Sequence, residues 1–282
     1  MSSVPARLRD YRQVDVFTAE ALRGNPLAVV LDGTGLDTGR MAAFARWTNL
    51  SETTFLLPPA HPEADYQVRI FTPGAELPFA GHPTLGSCHA WLAAGGRPRR
   101  EGVVVQQCAV GLVPIRLGER LAFRAPPTTV EPVEAAYLER VCAALGLAPQ
   151  AVSDAAWLTN GPRQLALLLD RASTVTAMQP DHAALKQLSV VGVVAPAPAG
   201  TAVDFEVRFF ASAIGVDEDP VTGSLNANIA QWLIGSGRAP ARYVAAQGAA
   251  LGRAGRVHVE RDAEGTWIGG DVAPCISGQV ML

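Results

Sequence analysis

The chain has 282 residues, of which 49% are hydrophobic, 17% charged and only 6% aromatic, and its net charge is −3. A chain of this length buries about three quarters of its unfolded surface, here in a core that must be mainly aliphatic. The weak negative balance offers no general attraction to nucleic acid or to an anionic membrane, which would favour a basic face, and no apolar run approaches the roughly 20 residues needed to span a bilayer.

Read in chain order, short β-branched runs bounded by Gly, Pro or Asp predict strands at "QVDVFT", "LAVVL", "ETTFLL", "YQVRIF", "GVVVQQ" and "LVPIRL" in the first half. The second half offers "AAWLTN", "QLALLL", "SVVGVVA", "DFEVRFF", "RYVAAQ", "RVHVE" and "TWIGGDV". Two longer helices are expected over His82–Ala94 and Thr222–Gly235. Both are apolar on most faces, the pattern of a helix buried all round. The Pro-rich stretch from Arg124 to Ala136 marks a boundary, and a further helix follows in "PVEAAYLERVCAALGL". The start, "MSSVPARLRDY", shows no apolar h-region, so a cytoplasmic protein is expected. Cys88, Cys108, Cys142 and Cys275 form no C-x-x-C pair and read as small buried hydrophobes. The five histidines lack metal-ligand spacing, so no metal is expected.

The chain is written twice. "LSETTFLLP" aligns without a gap on "LSVVGVVAP", each behind a short helical pattern, and "NPLAVVLD" resembles "GPRQLALLLD". "ELPFAGH" and "EDPVTGS" share Glu-x-Pro-x-x-Gly, and the offset stays at roughly 140 positions throughout. The expected fold is therefore α+β, with two pseudo-symmetric halves, each a mostly antiparallel, barrel-like sheet around a central helix. The halves are placed at residues 1–125 and 126–282, with the last strand able to return to the N-terminal half. A duplicated domain predicts a site in the cleft between its copies, where pockets concentrate.

Gly81 and Gly223 open the two central helices. The first N–H groups of a helix lack internal partners and bind anions at the positive end of the dipole, so a small carboxylate is a natural guest. Taken singly, both glycines also read as plain strand-to-helix connectors. The asymmetry between the copies adds chemistry. Ser51-Glu52 stands where the other half has Ser189-Val190, Gly81-His82 where it has Gly223-Ser224, and Asp219 precedes Gly223 by four residues. A carboxylate at the head of a core strand is costly unless partnered, exposed or used, and burial would poise Glu52 to exchange a proton near neutral pH.

Together these residues resemble the PhzF-like (phenazine biosynthesis-like) family, which has the diaminopimelate-epimerase-like fold. The resemblance runs through "VDVFTAEALRGNPLAVVLD", "NLSETTFL", "RIFTPGAELPFAGHPTLG", "EDPVTGS" and "QGAALGRAGRVHV". It implies that Glu52 is the general acid/base and that His82 and Asp219 contact and orient the ligand. It further implies that Ser51, Gly81, Thr222, Gly223 and Ser224 line the carboxylate site, that neither metal nor organic cofactor is used, and that the protein is a homodimer. The reference reaction is isomerisation of trans-2,3-dihydro-3-hydroxyanthranilate. Related epimerases place a cysteine before each helix-opening glycine, where this chain has Ala80 and Thr222, so stereoinversion by a thiol pair is not expected. Two stretches depart from the family pattern: "FASAIG", where members often carry a proline, and the polar "NAN" of Asn226 to Asn228. The expected function is a cofactor-independent isomerase of a small cyclic or unsaturated carboxylate, acting by Glu52-mediated proton transfer. The alternatives are a non-catalytic carboxylate-binding protein and an epimerase that pairs Glu52 with another base.

Overall fold

The computed structural model describes residues 6–282, and these divide into two compact units. One unit holds the chain up to Arg124 together with Gly269–Leu282, and the other is Ala125–Ile268.

In the first unit the strands are β1 (Leu8–Val16), β2 (Asn25–Val30), β3 (Glu52–Leu57), β4 (Tyr66–Phe71), β5 (Glu76–Leu77), β6 (Val103–Cys108), β7 (Gly111–Leu117) and β8 (Leu121–Arg124). Its helices are α1 (Thr38–Thr48) and α2 (Gly81–Ala93). β1 pairs antiparallel with β2, β2 parallel with β3, β3 antiparallel with β4, β4 parallel with β6, and β6 antiparallel with β7. The helix α2 packs against β1, β2, β3, β6 and β8, and its first eight residues are all buried. Burial all round explains why its sequence carries no polar stripe. Gly86 permits the close approach, because a Cβ there would stand 2.5 Å from Leu27 Cδ2 and 2.9 Å from Val16 Cγ2.

The second unit contains β9 (Thr129–Pro132), β10 (Val152–Thr159), β11 (Arg163–Leu169), β12 (Val191–Pro196), β13 (Phe205–Phe210), β14 (Arg242–Gln247), β15 (Gly255–Asp262) and all of β16 (Gly265–Gly270) but its last two residues. Its helices are α3 (Ala135–Leu145), α4 (Ala172–Ala177), α5 (His182–Leu185) and α6 (Gly223–Gly235). The pairing order repeats that of the first unit. β10–β11 is antiparallel, β11–β12 parallel, β12–β13 antiparallel, β13–β14 parallel and β14–β15 antiparallel. The fold is α+β with mixed sheets, and it is diaminopimelate-epimerase-like.

The last strand, β17 (Val272–Met281), pairs antiparallel with β1 in the first unit, while β9 pairs with β10 in the second. Neither β9 nor β17 reads as a strand in the sequence. β9 is exposed along its whole length and lies inside the Pro-rich stretch, and β17 is mostly exposed. Buried Arg9 secures the chain end, donating from Nε to the Leu282 carbonyl and from Nη1 to the Asp32 carbonyl at 2.6 Å. The short helical pattern ahead of "LSVVGVVAP", the stretch "DHAALKQL", shortens to the four residues of α5, capped by Asp181 Oδ1 on the Ala184 N–H.

Both Glu-x-Pro-x-x-Gly turns are braced by an arginine from the preceding strand. Arg69 grips Glu76 with two hydrogen bonds, Nε to Oε1 at 2.7 Å and Nη2 to Oε2 at 2.6 Å. Arg208 grips Glu218 in the same way at 2.9 and 2.7 Å. Each guanidinium also lies over the ring two residues along its strand, Phe71 or Phe210. The bidentate fork fixes both position and orientation, which explains why the device carries its glutamate. That acid anchors the turn which delivers the glycine to the head of α2 or α6.

Candidate active site

Glu52 opens β3, with its side chain 15% exposed. The approach to it is built locally. α1 ends on Asn49, whose left-handed backbone (φ 54°) lets its N–H return to the Ala45 carbonyl. Asparagine tolerates that conformation. The Thr48 hydroxyl then meets the Thr53 hydroxyl at 2.9 Å and ties the end of α1 to the head of β3. Ser51, half-buried, occupies the short link just before Glu52.

The register of β2 and β3 sets Leu27 opposite Glu52, so Asn25 and Pro26 lie beside the same strand end. His82, second residue of α2 and 4% exposed, brings its Nε2 to 3.3 Å from Glu52 Oε2. Its Nδ1 is 3.4 Å from the Asn25 side-chain amide. Burial pushes the His82 pKa down to about 3, against a smaller upward pull from a backbone hydrogen bond at Pro26. The imidazole is therefore neutral near pH 7 and faces Glu52 as a close polar neighbour rather than a cation. Gly81, immediately before it, is buried, and no side chain caps α2 at Ala80. The first unit thus brings Ser51, Glu52, Gly81 and His82 into one neighbourhood.

The second unit gathers Asp219, Thr222, Gly223 and Ser224 at the head of α6. No side chain caps this helix at Thr222 either. The Thr222 hydroxyl instead donates to Asp219 Oδ2 at 2.6 Å. Ser224 Oγ accepts from Gln164 Nε2 at 3.2 Å, and its carbonyl accepts from Asn160 Nδ2 at 2.9 Å. The two asparagines that looked out of place in α6 are fully buried and bonded. Asn226 Nδ2 donates to the Thr222 carbonyl and to Gln247 Oε1, both at 2.9 Å. Asn228 Nδ2 donates to Gln164 Oε1 at 2.8 Å, while its Oδ1 accepts from the Thr128 hydroxyl. Hydrogen bonding offsets the desolvation cost of Asn226 Nδ2 and of the whole Asn228 amide, and both side chains serve groups that hold the helix start.

Sequence reasoning missed Asn25, Asn160, Gln164 and Gln247, and it missed the arginine braces. The repeat carries a signal for the braces alone, since Arg69 and Arg208 hold equivalent places in "YQVRIF" and "FEVRFF". Among the described residues, no group of three or more His, Cys, Asp or Glu is arranged to hold a metal ion, and no helix is long and apolar enough to cross a membrane.

Comparison with known proteins agrees with this architecture. The model of the family described as phenazine biosynthesis-like protein matches residues 14–278. A Schizosaccharomyces pombe protein named antisense-enhancing sequence 1 is 34% identical, covering 96% of this chain and 98% of its own. The trans-2,3-dihydro-3-hydroxyanthranilate isomerase of Pseudomonas aeruginosa is 33% identical, covering 90% of this chain and 91% of its own. The crystal structure of an Enterococcus faecalis phenazine biosynthesis protein of the PhzF family superposes with a TM-score of 0.80 at 28% identity, covering 98% of this chain and all of the other. With its matched sequence, its fold and its full-length relatives, the chain belongs to the phenazine biosynthesis-like (PhzF) family of isomerases.

Proposed function

We propose that the protein isomerises a small cyclic or unsaturated carboxylate by proton transfer through Glu52, without a cofactor, in the manner of trans-2,3-dihydro-3-hydroxyanthranilate isomerase. The observation that carries this reading is the shielded contact of Glu52 Oε2 with a neutral His82 at 3.3 Å. In this reading the Glu52 carboxylate takes a proton from one carbon, the electron pair moves along the unsaturated system, and the carboxylic acid so formed returns the proton to another carbon. No electron is gained or lost, and the glutamate ends as it began. His82 and Asp219 orient the ligand. The helix starts at Gly81 and Gly223, with Ser51 and Ser224, hold the carboxylate through N–H and hydroxyl donors, while Thr222, whose N–H and hydroxyl proton go to Gln247 and Asp219, shapes the turn beside it. The protein acts as a homodimer in the cytoplasm.

The test is proton exchange in D2O followed by NMR. Trans-2,3-dihydro-3-hydroxyanthranilate and a panel of amino- and hydroxy-carboxylates are offered to wild type and to Glu52→Gln. Deuterium entering a ring or chain carbon with wild type alone supports the reading. Binding without exchange favours a non-catalytic carboxylate-binding protein. Exchange at a stereocentre with an inverted product points to an epimerase using Glu52 with a second base.

A further inference from the structure

Gln247, the last residue of β14, is 1% exposed and makes four hydrogen bonds to the head of α6. Its Oε1 accepts from the Thr222 backbone N–H at 3.0 Å and from Asn226 Nδ2 at 2.9 Å. Its Nε2 donates to Thr222 Oγ1 at 3.0 Å and to the Asp219 carbonyl at 3.1 Å. The backbone partners fix the amide orientation, since a flip would set oxygen against carbonyl and N–H against N–H. The orientation then dictates the next bond. A hydroxyl has one proton, and Thr222 Oγ1 already accepts from Gln247, so its own proton goes to Asp219 Oδ2.

The first unit provides an internal control. By the turn alignment Leu77 stands where the second unit has Asp219, and Ala80 where it has Thr222. By strand register, Tyr66 pairs with Gln106 as Phe205 pairs with Ala245, which puts Cys108 in the place of Gln247. All three polar members of the second unit's chain are replaced by apolar residues or a thiol in the first. The backbone device persists without them. Thr84 Oγ1 still donates to the Ala80 carbonyl at 2.9 Å, as Asn226 does to that of Thr222. Gln247 and Thr222 therefore accompany the carboxylate and are not required simply to start a helix in this fold.

We propose that Gln247 is a positioning residue for the reaction, holding the Asp219 carboxylate in its ligand-facing orientation through the Thr222 hydroxyl. This rests on the reading that Asp219 orients the ligand. Buried amides with all groups committed lock their partners, and the loss of such a bracket leaves donors and acceptors unsatisfied.

The experiment compares Gln247→Glu, Gln247→Met, Asp219→Asn and the Gln247→Met/Asp219→Asn double variant with wild type, using trans-2,3-dihydro-3-hydroxyanthranilate in D2O. Thermal unfolding checks the fold of each. Gln247→Met is expected to lower kcat/KM by about tenfold or more, the effect of one lost bond to a charged group. The double variant is expected to be no slower than Asp219→Asn, because residues acting as one unit are not additive. Gln247→Glu keeps the acceptor for Thr222 N–H but regains the donor only when its carboxyl is protonated. Its kcat/KM relative to wild type is therefore expected to rise as pH falls, while that of Gln247→Met stays flat. Full activity in Gln247→Met overturns the proposal, as do additive losses in the double variant or losses that track the unfolding temperature with no acid recovery. A wild type with no exchange on this compound or on any of the carboxylate panel, matched by Glu52→Gln, overturns the functional reading itself and the proposal with it.

Discussion

Glu52 Oε2 and His82 Nε2 lie 3.3 Å apart, the first at the head of β3 and the second in the opening turn of α2, with side chains 15% and 5% exposed. Burial keeps the imidazole neutral near pH 7. A neutral imidazole nitrogen donates an N–H to a carboxylate in one tautomer and accepts a hydrogen bond from a carboxylic acid in the other. By a change of tautomer His82 can therefore face Glu52 before and after a proton is taken up without acquiring charge in a shielded site. That property suits a group that must accept a proton and give it back.

Glu52→Gln preserves shape and loses the ability to carry a proton. Turnover in the D2O exchange assay is expected to fall at least about 100-fold, the lower range of general acid–base contributions. The unfolding temperature should change little. Full turnover in this variant would remove Glu52 from the chemistry.

His82 also predicts a pH dependence of stability. Burial lowers its pKa to about 3 in the folded chain from the ordinary histidine value of 6.5. The folded state then binds fewer protons than the unfolded state between those limits. The associated stability is complete above about pH 6.5 and is lost as pH falls towards 3, at up to roughly 1.4 kcal/mol per pH unit within the window. Urea unfolding of wild type and His82→Asn from pH 7 to pH 4 measures it. The wild type should lose more stability than the variant over that range, and parallel loss would assign the dependence to other groups.

The two arginine braces are alike in geometry and unlike in burial. Arg208 and Glu218 are each 6% exposed, and Arg208 Nη1 also donates to the Val175 and Met178 carbonyls. Arg69 and Glu76 are 23% and 37% exposed. Removing one partner of a buried pair strands the other charge, so Glu218→Gln should cost about 3–5 kcal/mol. Glu76→Gln, where water can solvate Arg69, should cost about 1 kcal/mol or less. Chemical denaturation of the two variants distinguishes these, and equal costs would show that burial does not separate the copies.

The candidate residues stood out because the turn is written twice and chemically loaded side chains in one copy face apolar or differently polar ones in the other. Glu52, His82 and Asp219 stand out against Val190, Ser224 and Leu77 at equivalent positions. The aliphatic strands were legible for the usual reason, a short buried run between turn residues. β9 and β17 were hidden because exposure removes the apolar signal, leaving Thr-Val-Glu-Pro to read as loop. The support around α6 was hidden for a different reason. Asn160, Gln164 and Gln247 lie at or near the ends of strands β10, β11 and β14, and only tertiary pairing brings them to one helix end, so no local spacing records their association.

Gly86 offers a test in which two effects of opposite sign compete. A glycine inside a helix ordinarily costs about 1 kcal/mol relative to alanine, so Gly86→Ala should stabilise α2 on propensity alone. A Cβ there would stand 2.5 Å from Leu27 Cδ2, 2.9 Å from Val16 Cγ2 and 3.1 Å from Val14 Cγ2. All three side chains are at most 1% exposed and have no solvent to move into. Overpacking of this kind typically costs 1–3 kcal/mol, enough to cancel the propensity gain and exceed it. Gly235, at the end of α6, has nothing within 4 Å of its notional Cβ, so Gly235→Ala should stabilise by up to about 1 kcal/mol. Denaturation of both variants should therefore give changes of opposite sign. A stabilised Gly86→Ala would mean that α2 is free to shift away from β1 and β2. The alignment of His82 with Glu52 would then depend on the hydrogen bonds at the helix start rather than on packing along its length.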